Sequence, residues 1–280
     1  MKIGVVDVGG GLRDIYGLGI LDRCMDLGIW FDLCIGVSAG SANVASYLSR
    51  QRKRNYPFYT VYPFRKEYMG FGNWLKYRSF LNLDYVYSVL CNTDGENPFD
   101  YQAMVDNPAE LIIVATEAST AKPVYFTKKD LSLNYYNALK SSSAIPFVCK
   151  PYETSGIPCF DGALSDPVPV KKALEEGCDK VVVILTKPKD VPREPGSDLK
   201  LAKRVRRKYP EASKAMSERY LTYNAQVEFA KQQEKEGKVL ILAPEDLFGM
   251  TTLKRDVEAM EKLYQEGYED AGRIPEFLEN

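Results

Sequence analysis

The chain has 280 residues, 37 basic against 38 acidic side chains, and no histidine. That length builds a substantial core, as one large domain or two small ones. The charge balance offers no global field for nucleic acid, and the missing histidine removes every catalytic triad that relies on an imidazole base.

Residues 2–8 read as a first strand, ended by Gly9-Gly10-Gly11. A helix over 15–27 closes at Gly28. The apolar run 31–35 predicts a second strand, and a helix-compatible run at 41–48, reaching to about Arg50, follows Gly36-Val37-Ser38-Ala39-Gly40. β-Branched runs at 110–115 and 180–186 predict buried strands, and 239–243 reads the same way after Gly237. This alternation argues an α/β fold with three layers, α/β/α, around a mostly parallel central sheet.

Two regions interrupt the alternation. Residues 56–87 hold twelve of the 33 aromatic side chains, about three times the average density. Pro57, Pro63, Gly70 and Gly72 keep this stretch from forming one helix. Such an insertion, taken as 56–100, is either a cap over an apolar cleft or an irregular part of the core. In the C-terminal third, Met216, Tyr220, Tyr223, Val227 and Ala230 repeat at helical spacing, as do Leu253, Val257, Met260 and Tyr264. Residues 187–197, with three prolines, read as a connector, so 187–280 is expected to be a mainly helical extension packed on the same domain.

Six cysteines at 24, 34, 91, 149, 159 and 178 show no C-x-x-C pair, and without histidine they complete no mixed zinc site. No metal and no cofactor are expected. Cys34 and Cys178 lie beside apolar runs, as buried thiols would, which favours a reduced, cytoplasmic setting. The N-terminal run is too short for a signal peptide, and no apolar run approaches the ~18 residues of a membrane span, so a soluble protein is expected.

The chemistry centres on Ser38. A G-x-S-x-G turn between strand and helix exposes its serine as a nucleophile; Gly36 and Gly40 let the backbone turn sharply, and Ala39 and Gly40 leave room for a substrate beside Ser38. In such turns one oxyanion donor is the N–H after the serine, here Ala39. The glycine-rich loop Gly9-Gly10-Gly11-Leu12-Arg13 offers further N–H groups as a nest for negative charge. A dinucleotide turn or a plain tight turn is the alternative, although Gly9-x-Gly11-x-x-Asp14 lacks the third glycine of that fingerprint. Without histidine the base must be a carboxylate, and Asp161 is the candidate, with Gly162 allowing close approach. Asp161-Gly162 also reads as a hairpin turn. Arg13 either orients the loop, meets a substrate phosphate or fixes the first helix through an ion pair. The basic runs 50–54 and 203–208 are either solvated faces or contacts to anionic lipid.

Taken in order, Gly9-Gly10-Gly11-Leu12-Arg13, Gly36-Val37-Ser38-Ala39-Gly40 and Asp161-Gly162-Ala163 resemble the motifs of the patatin-like lipid acyl hydrolases, bacterial type. Ser142-Ser143-Ala144-Ile145-Pro146-Phe147 is similar to the small-residue and proline block found there. The likeness covers roughly residues 1–186 and implies a patatin-like catalytic domain over that span. It further implies a Ser38–Asp161 dyad, an oxyanion hole from Gly9, Gly10, Gly11, Leu12 and Ala39, and hydrolysis of lipid esters through an acyl-enzyme. A lipid ester is the implied partner, with transient contact to a membrane surface as a further expectation and no nucleic acid.

Two positions depart from the family pattern. Ala163 stands where glycine is common, and Asp14 stands where the family usually has glycine. Asp14 is read as an outward helix N-cap before Ile15; facing the oxyanion hole, it would oppose the charge forming there. A lipid- or acyl-binding regulator without turnover is therefore the competing reading. An aspartate base starts roughly 3.5 kcal/mol behind histidine in driving force, and burial recovers part of that difference. The dyad thus requires a largely buried Asp161 within hydrogen-bond reach of the Ser38 hydroxyl.

Overall fold

The β-branched runs become the inner strands of one eight-stranded sheet in the computed structural model, which describes residues 1–279. The strands are β1 (Ile3–Asp7), β2 (Leu33–Val37), β3 (Glu110–Glu117), β4 (Pro123–Thr127), β5 (Tyr152–Thr154), β6 (Ile157–Asp161), β7 (Lys180–Ile184) and β8 (Val239–Leu242). Their order is β5-β6-β3-β2-β1-β7-β8, with β4 also paired to β3. The five strands from β3 to β8 in that order run parallel. Side chains on both faces of these strands are buried, which requires cover on both sides.

Helices supply that cover. Helices α1 (Ile15–Asp26) and α2 (Ala39–Leu48) pack one face with the Val257–Asp270 helix, where Ile15, Val44 and Met260 join Val5, Cys34 and Val182. The Pro210–Lys235 helix packs the other, where Tyr223, Val227 and Ala230 meet Val181, Val183 and Ile241. The three-layer α/β/α reading with a mostly parallel sheet therefore holds. Residues after 187 contribute both an edge strand and helices on both faces. Close packing of α1 against the Val257–Asp270 helix depends on Gly19 and Gly267. A Cβ on either would fall within 2.2 Å of a backbone oxygen of the other helix.

Several boundaries differ from the sequence expectation for local reasons. Strand β2 starts at Leu33 rather than Phe31 and runs into Gly36-Val37 itself. The stripe containing Leu253 and Val257 begins later: Asp256 caps the helix by accepting from Ala259 N, Leu253 precedes it, and Val257 is exposed. The antiparallel strands β4, β5 and β6 carried no strong run. Strands β5 and β6 turn at Ser155-Gly156, both at positive φ, so the hairpin turn falls there and not at Asp161-Gly162.

The 56–100 insertion between α2 and β3 is built from short helical pieces. Phe58, Tyr59, Tyr62, Tyr68 and Tyr87 are buried and merge with the α1–α2 side of the core. On its outer side, Phe71 and Leu75 are 85% and 88% exposed. Among the described residues no helix is long and apolar enough to cross a membrane, and the six cysteines are buried and unpaired.

Candidate active site

Strand β1 delivers the chain into Gly9-Gly10-Gly11, whose φ angles of 67°, 143° and 62° lie in the region that only glycine adopts freely. The loop is pressed between two backbones. A Cβ on Gly9 would fall 2.1 Å from Val37 O, and one on Gly11 would fall 2.2 Å from Thr252 O. Two of the five expected oxyanion donors are already engaged. Gly9 N–H donates to Asp7 Oδ1 at 3.1 Å, and Leu12 N–H donates to Thr252 O at 2.9 Å. This corrects the sequence reading for Gly9 and Leu12. Among the described residues, the N–H groups of Gly10, Gly11 and Ala39 have no partner.

Ser38 sits at φ 56° and ψ −128°, a costly conformation for a residue with a side chain. Neighbouring hydroxyls hold it there. Ser142 Oγ accepts from Ser38 N at 2.9 Å and donates to Val114 O at 2.6 Å, while Ser41 Oγ donates to Ser38 O at 2.6 Å. Gly36 and Gly40 make the elbow tight: a Cβ on Gly36 would lie 2.4 Å from Ser41 Cα, and one on Gly40 would lie 2.4 Å from Asp7 O. Gly40 thus seats α2 against β1 and does not border the space in front of Ser38, as the sequence reading had it.

The sheet brings Asp161 to the serine. Val37 pairs with Val114, and Asp161 pairs with Ala115, the next residue of β3. Because β4 lies along the opposite edge of β3, β6 takes over the edge that β2 leaves when the chain turns at Ser38. Ser38 Oγ donates to Asp161 Oδ2 at 2.8 Å. Asp161 Oδ1 accepts from Ala163 N at 2.9 Å, and the residue is 2% exposed. Burial pushes its carboxyl above the ordinary value, while the Ala163 N–H, the Ser38 hydroxyl and the fields of Arg219 and Arg193 pull the other way. Gly162 makes no room for substrate. A Cβ there would fall 2.2 Å from Val114 O, so glycine lets the chain hug β3 just after the aspartate.

Asp14 is not an outward cap. It makes no capping bond and is fully buried beside Asp7. Asn43 Nδ2 donates to Asp7 Oδ2 at 3.3 Å and to Asp14 Oδ2 at 3.1 Å, and Tyr59 donates to Asn43 Oδ1. A Cβ on Gly17 would lie within 3 Å of both carboxyls, which places the pair under the first turn of α1, behind the glycine loop. Burial raises both acids, and the Asp7 charge raises Asp14 further.

Two spaces meet at Ser38. One is apolar and walled by the insertion, with Phe58, Tyr68, Met69, Leu81 and Tyr87 in its lining. The other is polar, with Arg13, Lys187, Arg193 and Arg219 in its wall beside Asp161. Gly11, Ser38, Ile145 and Leu253 border both. Among the described residues Arg13 makes no ion pair that would fix the first helix. In the 50–54 run, Arg52 pairs with Asp26, and Arg54 donates to Asn97 O and lies over Phe58 and Phe99. Arg52 thus ties this turn to α1, and Arg54 ties it to the insertion. In the 203–208 run, Arg204 lies over the Phe147 ring.

Sequence reasoning named Ser142 only as part of a block and missed Lys187, Arg193 and Arg219. The first two sit in the stretch read as a connector, and Arg219 shares a helix whose apolar stripe drew attention instead. Among the described residues no group of acids and cysteines is arranged to hold a metal.

Known proteins share this layout. A family model described as patatin-like phospholipase matches residues 8–174, and one described as a domain of unknown function (DUF6363) matches residues 209–279. The uncharacterized protein YjjU of Escherichia coli (strain K12) is 29% identical over 194 residues, which is 67% of this chain and 52% of that protein. The chain thus spans about half the length of that curated relative. The crystal structure of VipD from Legionella pneumophila superposes with a TM-score of 0.53 at 13% identity, over 98% of this chain and 66% of that one. At that identity the likeness is one of fold.

Proposed function

The chain belongs to the patatin-like phospholipase family, and from that membership we propose that it is a serine acyl hydrolase cleaving carboxylic esters of lipids through Ser38 and Asp161. The observation that carries this reading is the 2.8 Å hydrogen bond from the Ser38 hydroxyl to a buried carboxylate in a chain without histidine. In the proposed reaction Asp161 takes the Ser38 proton as Oγ attacks the ester carbonyl. The tetrahedral oxyanion meets the N–H groups of Gly10, Gly11 and Ala39. Collapse expels the alcohol, which takes the proton, and leaves an acyl-enzyme; water then attacks as it gives a proton to the same carboxylate, and that proton passes to Ser38 Oγ as the acid leaves. Burial of Asp161 works in favour of this role, since a raised carboxyl is a stronger base once ionised.

The apolar pocket is the proposed acyl site, with residues 1–186 as the catalytic part, 56–100 as its cap and 187–280 as an extension. Phe71 and Leu75 stand four apart on the Phe71–Tyr77 helix, beside Lys76 and Arg78, a surface suited to transient seating on a membrane. The buried, unpaired cysteines fit a cytoplasmic setting. A binding-only regulator drew its support from Asp14. That residue is buried under the first turn of α1 beside Asp7, and burial disfavours its charged form.

A fluorophosphonate probe tests the proposal. Labelling of the wild-type chain that disappears in Ser38→Ala, together with release of fatty acid from a lipid ester panel, is the expected result. A wild-type chain that neither labels nor releases acid would leave only the binding role.

A further inference from the structure

The polar cleft carries more positive charge than its two carboxylates, Asp161 and Asp198, offset. Arg219 straddles Asp198, with Nη2 at 2.9 Å from Oδ1 and Nε at 3.0 Å from Oδ2, and Arg193 Nη2 adds a bond at 3.0 Å. The side chains of Lys187 and Arg13 face the same cleft, and among the described residues neither makes a hydrogen bond or an ion pair. Arg13 Nε is buried without an acceptor. Four cations therefore line the cleft with two carboxylates, Asp198, which is ion-paired, and Asp161, which holds Ser38. Burial and the fields of Arg13, Arg193 and Arg219 push the Lys187 ammonium down to about 8, the response of a cation crowded by like charge. Uncompensated buried charge opposes folding, so a cluster of this kind marks a place for an anion from outside the chain.

The Arg193–Asp198–Arg219 part of the cluster is held in place, and the cleft borders the reactive serine. Arg193 is pinned to the Pro210–Lys235 helix by its N–H to Asn224 Oδ1 at 2.8 Å and by Asn224 Nδ2 to its carbonyl at 3.1 Å. Ser38 borders this cleft and the apolar pocket alike. An ester whose carbonyl sits at Ser38 with its acyl chain in the apolar pocket directs its alcohol part into the cleft. Planar guanidiniums with a neighbouring ammonium match a phosphate ester in charge and donor geometry.

We propose that Arg13, Lys187, Arg193 and Arg219 form a phosphate subsite that holds the alcohol side of a glycerophospholipid while Ser38 cleaves its acyl ester. The proposal rests on the hydrolase reading of Ser38. Only Arg13 lies within the span matched by the patatin-like model; Arg219 belongs to the span matched by the domain of unknown function. The extension thereby gains a role, which is to select substrates that bear phosphate. Free phosphate offers the same chemistry, and the two sources are separable.

The test uses the full chain. Inorganic phosphate and glycerophosphocholine are titrated against Ser38→Ala protein, with thermal shift as the readout, in the presence and absence of Lys187→Met. Turnover of a lysophospholipid and of a monoacylglycerol with the same acyl chain is compared in wild type, Lys187→Met and Lys187→Arg. Both phosphate probes are expected to raise the melting temperature, by an amount at least halved in Lys187→Met. The ratio of kcat/KM for the phosphate ester over the neutral ester is expected to fall about tenfold in Lys187→Met, through KM, and to recover in Lys187→Arg. Removing a crowded cation leaves the fold no less stable, so Lys187→Met melts no earlier than wild type; should it do so, Lys187→Gln replaces it. An unchanged ratio overturns the proposal. With inorganic phosphate still bound it would mark a free-phosphate site, and without binding, a cluster that merely tunes Asp161 for all esters alike. Absence of turnover on both substrates would defeat the hydrolase reading instead, and the thermal shift with glycerophosphocholine then decides the subsite alone.

Discussion

Ser38 and Asp161 stand 123 positions apart in the chain, yet their side chains meet at 2.8 Å because β6 continues along β3 where β2 leaves off. The contact is a consequence of strand register. It does not depend on a mobile loop closing over the site.

The state of Asp161 sets the first prediction. Turnover requires the ionised carboxylate, and burial lifts its titration above the ordinary 3.8. Activity is therefore lost as pH falls, with a midpoint higher than that of a free aspartate. A pH profile of kcat/KM on a short-chain ester measures this limb. Asp161→Asn is expected to lower kcat by roughly 10²–10⁴-fold while the fold persists. An unaltered kcat in that variant would remove the base from the mechanism.

Ser142 is a positioning residue with a separable signature. Its hydroxyl accepts the Ser38 N–H and donates to Val114 O, bracing an unfavourable φ. Ser142→Ala leaves both groups buried without this partner, at a cost of about 1–3 kcal/mol in stability. A loosened elbow misaligns Oγ, so kcat should fall while KM for a short ester stays near wild type. Equal kcat in the two proteins would make Ser142 purely structural.

Gly162→Ala probes the register itself. The new Cβ would meet Val114 O at 2.2 Å, so the chain after Asp161 has to move off β3. Overpacking of this kind costs about 1–3 kcal/mol. Displacing Asp161 should lower fluorophosphonate labelling more than it lowers the melting temperature would explain. Normal labelling in a destabilised variant would show that the dyad tolerates a shifted β6.

These contacts also show what a sequence can and cannot display. Gly9-Gly10-Gly11 and Gly36-Val37-Ser38-Ala39-Gly40 are legible because local backbone geometry demands glycine, and local demands leave local patterns. The missing histidine called for a carboxylate, and only the resemblance of Asp161-Gly162-Ala163 to the family motif pointed to Asp161 among 38 acidic residues. The engagement of Gly9 and Leu12 N–H was not legible, because their acceptors, Asp7 Oδ1 and Thr252 O, are set by tertiary packing. Lys187 and Arg219 were hidden for the same reason: their meeting depends on how the Pro210–Lys235 helix lies on the sheet. Gly162 was read as an opening, although its packing partner on β3 lies nearly fifty residues earlier.

The exposed face of the insertion predicts interfacial behaviour. Phe71 and Leu75 are nearly fully exposed, so Phe71→Ser with Leu75→Ser should change stability by no more than about 0.5 kcal/mol. The ratio of turnover on phospholipid vesicles to turnover on a monomeric short-chain ester should fall at least fivefold. Vesicle co-sedimentation of the Ser38→Ala protein, with and without the two serines, measures the same surface without turnover. An unchanged ratio and unchanged sedimentation would place membrane contact elsewhere.

Asp7 and Asp14 predict how stability depends on pH. Both carboxyls titrate above 3.8 in the folded chain, Asp7 near 6, so the folded state holds more protons than the unfolded state between those values. The pair's contribution to stability is fully present below about pH 4 and is lost as pH rises through about 6, because Asp7 then ionises in a site cut off from water. Asp14→Asn removes one charge and supplies an amide donor for Asp7. The variant should therefore exceed wild type by about 1–3 kcal/mol at pH 8 and show a shallower slope between pH 4 and 7. Denaturant titrations at several pH values measure that slope. Parallel curves for the two proteins would mean that Asp14 is ionised behind the loop that faces Ser38.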